Sequence, residues 1–123
     1  MHERVTLTIT SLLSVLLFTF HWADEIARGI EPGTLSAAGG FAILFVWLYA
    51  IVAIPNRRLG LVIILLGSIL ASGVPILHMT GAGWLGPRIV ASGRVLFWVW
   101  TNIALGASGM ISLALCLRAL WRK

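Results

Sequence analysis

Four stretches of this 123-residue chain, residues 5–22, 35–54, 59–77 and 95–117, contain no Asp, Glu, Lys or Arg. A helix that crosses a bilayer needs about 20 consecutive apolar residues, within a range of roughly 17–25. Each stretch meets that length. The chain is 59% hydrophobic and 11% charged, against roughly 45–50% and about 25% in a soluble domain. A water-soluble chain this short has too little interior to hide so much apolar surface. The sequence therefore predicts one all-α domain over residues 1–123, an integral membrane four-transmembrane-helix bundle of up-down topology.

The connections set its orientation. Pro55-Asn56-Arg57-Arg58 reads as a tight basic turn between the second and third spans. Glu31-Pro32-Gly33 suits a type II turn, with Pro at its second position and Gly at its third, and Thr34 or Ser36 can cap the helix that follows. Residues 78–93 form a longer, Gly-rich loop. An even number of spans puts both termini on one side, with the 55–58 turn. That side carries Arg4, Arg57, Arg58, Arg118, Arg122 and Lys123 against Glu3 alone. On the other side Arg28, Arg88 and Arg94 are balanced by Asp24, Glu25 and Glu31, so the whole formal charge of +5 belongs to the first. The positive-inside rule makes that side, with both termini, cytoplasmic. Basic residues confined to turns and tails give no nucleic-acid surface. The basic start before the first apolar run resembles a signal peptide, but the run exceeds a signal core of about 7–15 residues and no small-x-small site follows it. It reads as a retained first helix. Trp22, Trp84 and Trp98 are placed near the outer interface and Trp121 near the inner one, as an aromatic belt requires. Trp47 and Trp100 sit deeper.

Helices in lipid associate through close-packed small residues and hydrogen bonds. Every span offers such a face: Thr6, Thr10 and Ser14 in the first, Ser36 to Gly40 in the second, Gly67, Ser68, Ala71 and Ser72 in the third, and Ala104, Ser108 and Ser112 in the fourth. These faces serve a compact bundle, a homo-oligomer or a partner subunit. Asn102 is the strongest polar residue within a span; it needs a partner, a backbone carbonyl or a Thr or Ser of the first span. Pro75 removes one backbone hydrogen bond three residues before His78 and influences where that side chain points. Cys116, the single cysteine, excludes an internal disulfide and reads as a packing residue.

The polar outer rim holds the candidate site. If the first helix runs on past Trp22 it ends at Gly29, a good left-handed cap. His21 then faces Glu25 one turn on, and Asp24 pairs with Arg28 in the order that favours an ion pair. His21 lies about 24 Å along its span from Val5 and His78 about 28 Å along its own from Leu59, at 1.5 Å per residue. In an up-down bundle these spans face each other diagonally across the core. Three outcomes follow for His21 and His78. They can join a hydrogen-bonded network with Asp24, Glu25, Arg28, Arg88 and Arg94, the commonest fate of interfacial histidines. They can ligate a haem iron from both faces, or form a metal site with Glu25, with Asp24 as a fourth or supporting ligand. They can line a polar vestibule for a small molecule, lipid headgroup or partner.

No phosphate-binding Gly loop, CxxC, HExxH or GxSxG is present, and no nucleophile stands beside the histidines, so an enzyme is not the expectation. Absence of a carboxylate within a span argues against a proton-coupled exporter. The segments HWADEIARGIEPG, GVPILHMTGAG and WTNIALGASGMISLALCLRALW together resemble a group of small, uncharacterised bacterial four-helix membrane proteins. That resemblance implies a multi-pass protein of the bacterial inner membrane and carries no activity, cofactor or site residue. The leading functional expectation is a non-enzymatic membrane protein working in the lipid bilayer as a homo-oligomer or an accessory subunit of a larger membrane complex. A haem- or transition-metal-binding protein using His21 and His78 is the alternative, and a small transporter or channel using Asn102 is the second.

Overall fold

The computed structural model describes residues 2–29, 38–80 and 95–122. It is all-helical: α1 spans His2–Ala27, α2 Ala38–Ala53, α3 Arg58–Thr80 and α4 Val95–Trp121. Three of these, over His2–Ala27, Arg58–His78 and Leu96–Trp121, are long and apolar enough to cross a membrane. The 16 residues of α2 are fewer than the sequence reading gave that span, and residues 35–37 lie outside those described. The Glu31-Pro32-Gly33 turn, the caps at Thr34 and Ser36, Trp84, Arg88 and Arg94 also lie outside the described residues.

The first helix runs a turn further than its uncharged core, to Ala27, and stops as expected at Gly29. That residue has φ of 69°, where a side chain would be strained. Arg28 N–H donates to the Asp24 carbonyl and Gly29 N–H to that of Ile26, each at 3.0 Å, closing the last turn. At the opposite end Arg4 Nη1 donates to Asn56 Oδ1 of the α2–α3 turn at 3.0 Å, and Arg122 pairs with Glu3. The start of α1, the 54–57 turn and the end of α4 therefore share one end of the bundle.

Each helix buries a narrow seam. In α1 it runs through Leu7, Ser11, Ser14, His21 and Glu25. In α3 it includes Leu61, Ile64, Ser68, Ala71 and Val74, and in α4 Trp98, Asn102, Leu105, Ser108, Ser112 and Cys116. Steps of three and four keep each seam on one face of its helix. The helices form a ring in chain order: α4 packs most extensively, on α3 and then α1, while α2 closes the ring more thinly against α3 and α1. Helices α1 and α3 thus lie diagonally opposite, as the up-down reading requires.

Small and hydroxylated residues hold these seams together. Ser14 Oγ lies 2.9 Å from Ser108 Oγ, and Ser112 donates to Thr10 Oγ1 at 2.8 Å. Thr10 and Ser14 hydroxyls also donate to the carbonyls of Thr6 and Thr10, each at 2.9 Å, so none is left unpaired in hydrocarbon. Between α3 and α4, a Cβ on Gly109 would stand 2.8 Å from Ala71 Cβ and 2.9 Å from the Ser72 backbone nitrogen. Only glycine permits that backbone approach. The Pro75 ring sits over Gly106, and Cys116 Sγ, buried as expected, donates to the Leu61 carbonyl at 2.9 Å. Trp47 lies flat on Gly67. The small-residue stripes of α1, α3 and α4 are thus largely consumed within one protomer, whereas Ala38 and Gly39 of α2 are exposed. The outward faces are apolar, with Phe45 71% and Met110 65% exposed, as lipid-facing side chains are.

This packing makes a prediction. Ser14→Leu, which pushes a branched side chain into the α1–α4 contact, should destabilise the bundle by about 1–3 kcal/mol. Ser14→Ala, which removes only the hydrogen bond, should cost about 0.6 kcal/mol. Reversible unfolding in mixed micelles measures both.

Candidate metal centre

At the end of the bundle away from the termini, α1 brings two consecutive seam positions inward, His21 and Glu25. Their spacing of four puts both on the same face. His78 arrives from α3 on the continuation of the Leu61–Ile64–Ser68–Ala71 seam. His21 and Glu25 are 2% and 8% exposed, and His78 is half-buried.

Three ligand-type atoms face one another. His21 Nε2 is 3.1 Å from His78 Nε2. Glu25 Oε1 is 3.3 Å from His21 Nε2 and 3.4 Å from His78 Nε2. Despite those distances, Glu25 Oε1 is buried and makes no hydrogen bond among the described residues. Both contacts are ion pairs only when a histidine is protonated. A buried carboxylate oxygen left this way costs several kcal/mol if charged. The triangle has the size that one ion imposes. Bonds of about 2.0–2.1 Å hold two ligand atoms about 3.3–3.4 Å apart at the tetrahedral angle and about 2.9 Å apart at a right angle. An ion lying less than about 1 Å above the triangle reaches all three atoms at bonding distance.

The same geometry does not suit a haem. Axial ligands on opposite sides of one iron stand about 4 Å apart, with the porphyrin between them. Here the nitrogens are closer than that and the ring centroids are 4.9 Å apart at 68°. The two imidazole nitrogens are instead at the spacing that neighbouring ligands of one ion would have. Asp24 is not among the converging ligands. One residue before Glu25, it points about 100° away around the helix, and its Oδ2 pairs with Arg28 Nε at 2.7 Å. The Asp24–Arg28 pair is thus as the sequence reading had it, and Asp24 stands apart from the three converging atoms.

Two residues of α4 back the site. Trp98, which the sequence reading puts near the outer interface, lies at this end of the bundle and is buried. Its ring meets His78 edge-on at 5.4 Å between centroids and lies 6.0 Å from His21. Asn102 Nδ2 donates to the Trp98 carbonyl at 3.1 Å, the backbone partner expected for it, and stands 3.4 Å from His21 Nδ1. Its Oδ1 is buried with no hydrogen bond among the described residues. This link between Asn102 and His21 was missed from sequence, although depth could have shown it. His21 lies six residues before the end of α1 and Asn102 seven after the start of α4, about 9–10 Å from the same end of the bundle.

The amide can also support metal binding. An imidazole that ligates through Nε2 carries its proton on Nδ1 and donates it to a neighbouring acceptor. A half-turn of the Asn102 amide presents Oδ1 to that proton and gives up the bond to the Trp98 carbonyl.

On the side facing α2, the triad opens into a cleft of about 290 Å³ between α1, α2 and α3. Apart from the triad, its walls are Phe18, Trp22, Gly40, Ile43, Leu70 and Val74.

Compared with known proteins, the chain matches no family model, no curated protein and no solved structure. The class is therefore defined by the fold and the triad alone: a helical bundle with three helices able to cross a membrane and a buried two-histidine, one-carboxylate cluster.

Asn102→Leu should lower the affinity of this cluster for Co(II) by about 10–100-fold, the usual cost of losing a residue that orients a ligating histidine. Titration followed by the visible cobalt bands measures this, and an unchanged affinity removes Asn102 from the site.

Proposed function

We propose that this protein binds one divalent transition-metal ion through His21 Nε2, His78 Nε2 and Glu25 Oε1. The reading rests on one observation: a buried, nearly equilateral triangle of three ligand atoms with edges of 3.1–3.4 Å, whose carboxylate corner has no hydrogen bond among the described residues. Two imidazoles and one carboxylate are a donor set used by zinc sites that keep a position open and by non-haem Fe(II) sites. Three protein ligands leave at least one position for water or another molecule.

The surrounding proposal is a four-span protein of the bacterial inner membrane with both termini cytoplasmic. Residues 35–54 supply the fourth span and charge asymmetry supplies the orientation. The metal centre then lies near the outer face. A role as a homo-oligomer or an accessory subunit of a membrane complex is compatible with this centre. It ranks second because the small-residue faces of α1, α3 and α4 that would serve such contacts are largely packed inside the protomer. The transporter reading has less behind it, since Asn102 is tied to Trp98 and His21.

Metal analysis of protein prepared without a polyhistidine tag tests the proposal. Equilibrium dialysis against Zn(II) or Co(II) should give one ion per chain. His78→Ala and Glu25→Ala should each weaken binding by at least about tenfold, since a direct ligand matters no less than its supporting residues. Metal uptake equal to that of a His21→Ala/His78→Ala double variant overturns it.

A further inference from the structure

The cleft and the triad form one continuous site, and their chemistry specifies an occupant. Helix α4 closes the back of the triad, where Trp98 packs on both imidazoles and Asn102 meets His21. The α2 side is different. There all three ligand residues line the cleft, and every other wall residue is apolar or glycine. Its volume of about 290 Å³ is at the lower end of the roughly 300–1,000 Å³ typical of small-molecule sites.

The cleft also has a direction. From His78 it follows α3 inward to Leu70, eight residues or about 12 Å down the helix, and follows α1 one turn inward to Phe18. This is toward the middle of the bundle, at hydrocarbon depth. Its rim is made by side chains that face lipid: Ile43 is 55% and Leu70 37% exposed. On one side Trp22 forms a fixed wall. It stacks on Phe41 with centroids 4.9 Å apart, and Gly40 leaves room for its ring.

A polar molecule arriving from water gains nothing from such walls. A free apolar molecule gains nothing from the buried ligand atoms at their head. We infer that the site takes a single-chain amphiphile from the surrounding lipid, its oxygen-donor headgroup bound to the open face of the metal ion and its alkyl chain lying in the cleft beside Phe18, Ile43, Leu70 and Val74. This inference rests on the metal reading above. It adds the class of ligand and the route by which that ligand arrives, sideways from the bilayer between α2 and its neighbours.

The test uses the full chain in lipid nanodiscs, loaded with Co(II), and two hydroxamates as probes. Acetohydroxamate offers the oxygen donors alone, and decanohydroxamate adds a chain. Both should perturb the cobalt bands, decanohydroxamate at a far lower concentration. Part of that difference is partition into the bilayer, which is the same for any variant. The decisive comparison is therefore with Ile43→Trp and Leu70→Trp, two rim substitutions that fill the cleft from partly exposed positions. They should leave cobalt and acetohydroxamate binding unchanged and weaken decanohydroxamate by at least about tenfold, because the indole occupies the space of the chain and seating both overpacks the cleft. Unchanged decanohydroxamate binding in both variants overturns the inference and leaves the metal reading standing. Failure to bind cobalt at all overturns both.

Discussion

The close approach of α4 to α1 and α3 is the constraint on which the rest depends. In lipid there is no hydrophobic drive to bring helices together, so packing and interhelical hydrogen bonds carry the association. Gly109 against Ala71 and Ser72, and Ser14 against Ser108, permit contacts that larger side chains would prevent. These contacts fix the rotation of each helix about its own axis. Once the phase is fixed, the seam decides which polar residues at the end away from the termini turn inward. In α1 these are His21 and Glu25; in α3, His78; in α4, Trp98 and Asn102.

That selection explains the cluster's composition. Asp24 and Glu25 are adjacent carboxylates, but one residue is about 100° of helix. The seam takes Glu25 inside and leaves Asp24 to Arg28. The result is a carboxylate oxygen enclosed by two imidazole nitrogens without hydrogen bonds from them. With both imidazoles neutral, a buried ionised Glu25 has no cation opposite it within the triad, which is unfavourable; ion pairs form only when a histidine is protonated. A cation resolves it, because it bonds to the carboxylate and to the imidazole lone pairs at once. Metal binding also requires the ligands to be deprotonated, so it couples the ion to the state of all three.

Much of this was legible in the sequence. The uncharged runs gave four helices and their order. The one-turn spacing of His21 and Glu25, the Asp24–Arg28 pair and the Gly29 cap followed from helix geometry alone. Depth estimates put His21 and His78 at nearly the same level. Depth does not give rotation, so whether His21, Glu25 and His78 meet needed the helix phases. The three- and four-residue steps through Leu7, Ser11 and Ser14, or Ile64, Ser68 and Ala71, held that information. They are hard to read because leucines and isoleucines cover the lipid-facing sides as well, and hydrophobicity barely separates inside from outside. The same difficulty hid the burial of Trp98. The cleft depends on how thinly α2 packs, which no local pattern encodes.

The account stands on three side chains sharing one ion. X-ray absorption of the Zn(II)-loaded protein measures that directly. The expected spectrum has a first shell of nitrogen and oxygen at about 2.0–2.1 Å with the outer-shell scattering of two imidazoles, reduced to one imidazole in His78→Ala. A first shell without imidazole scattering, or a spectrum unchanged by His78→Ala, contradicts it.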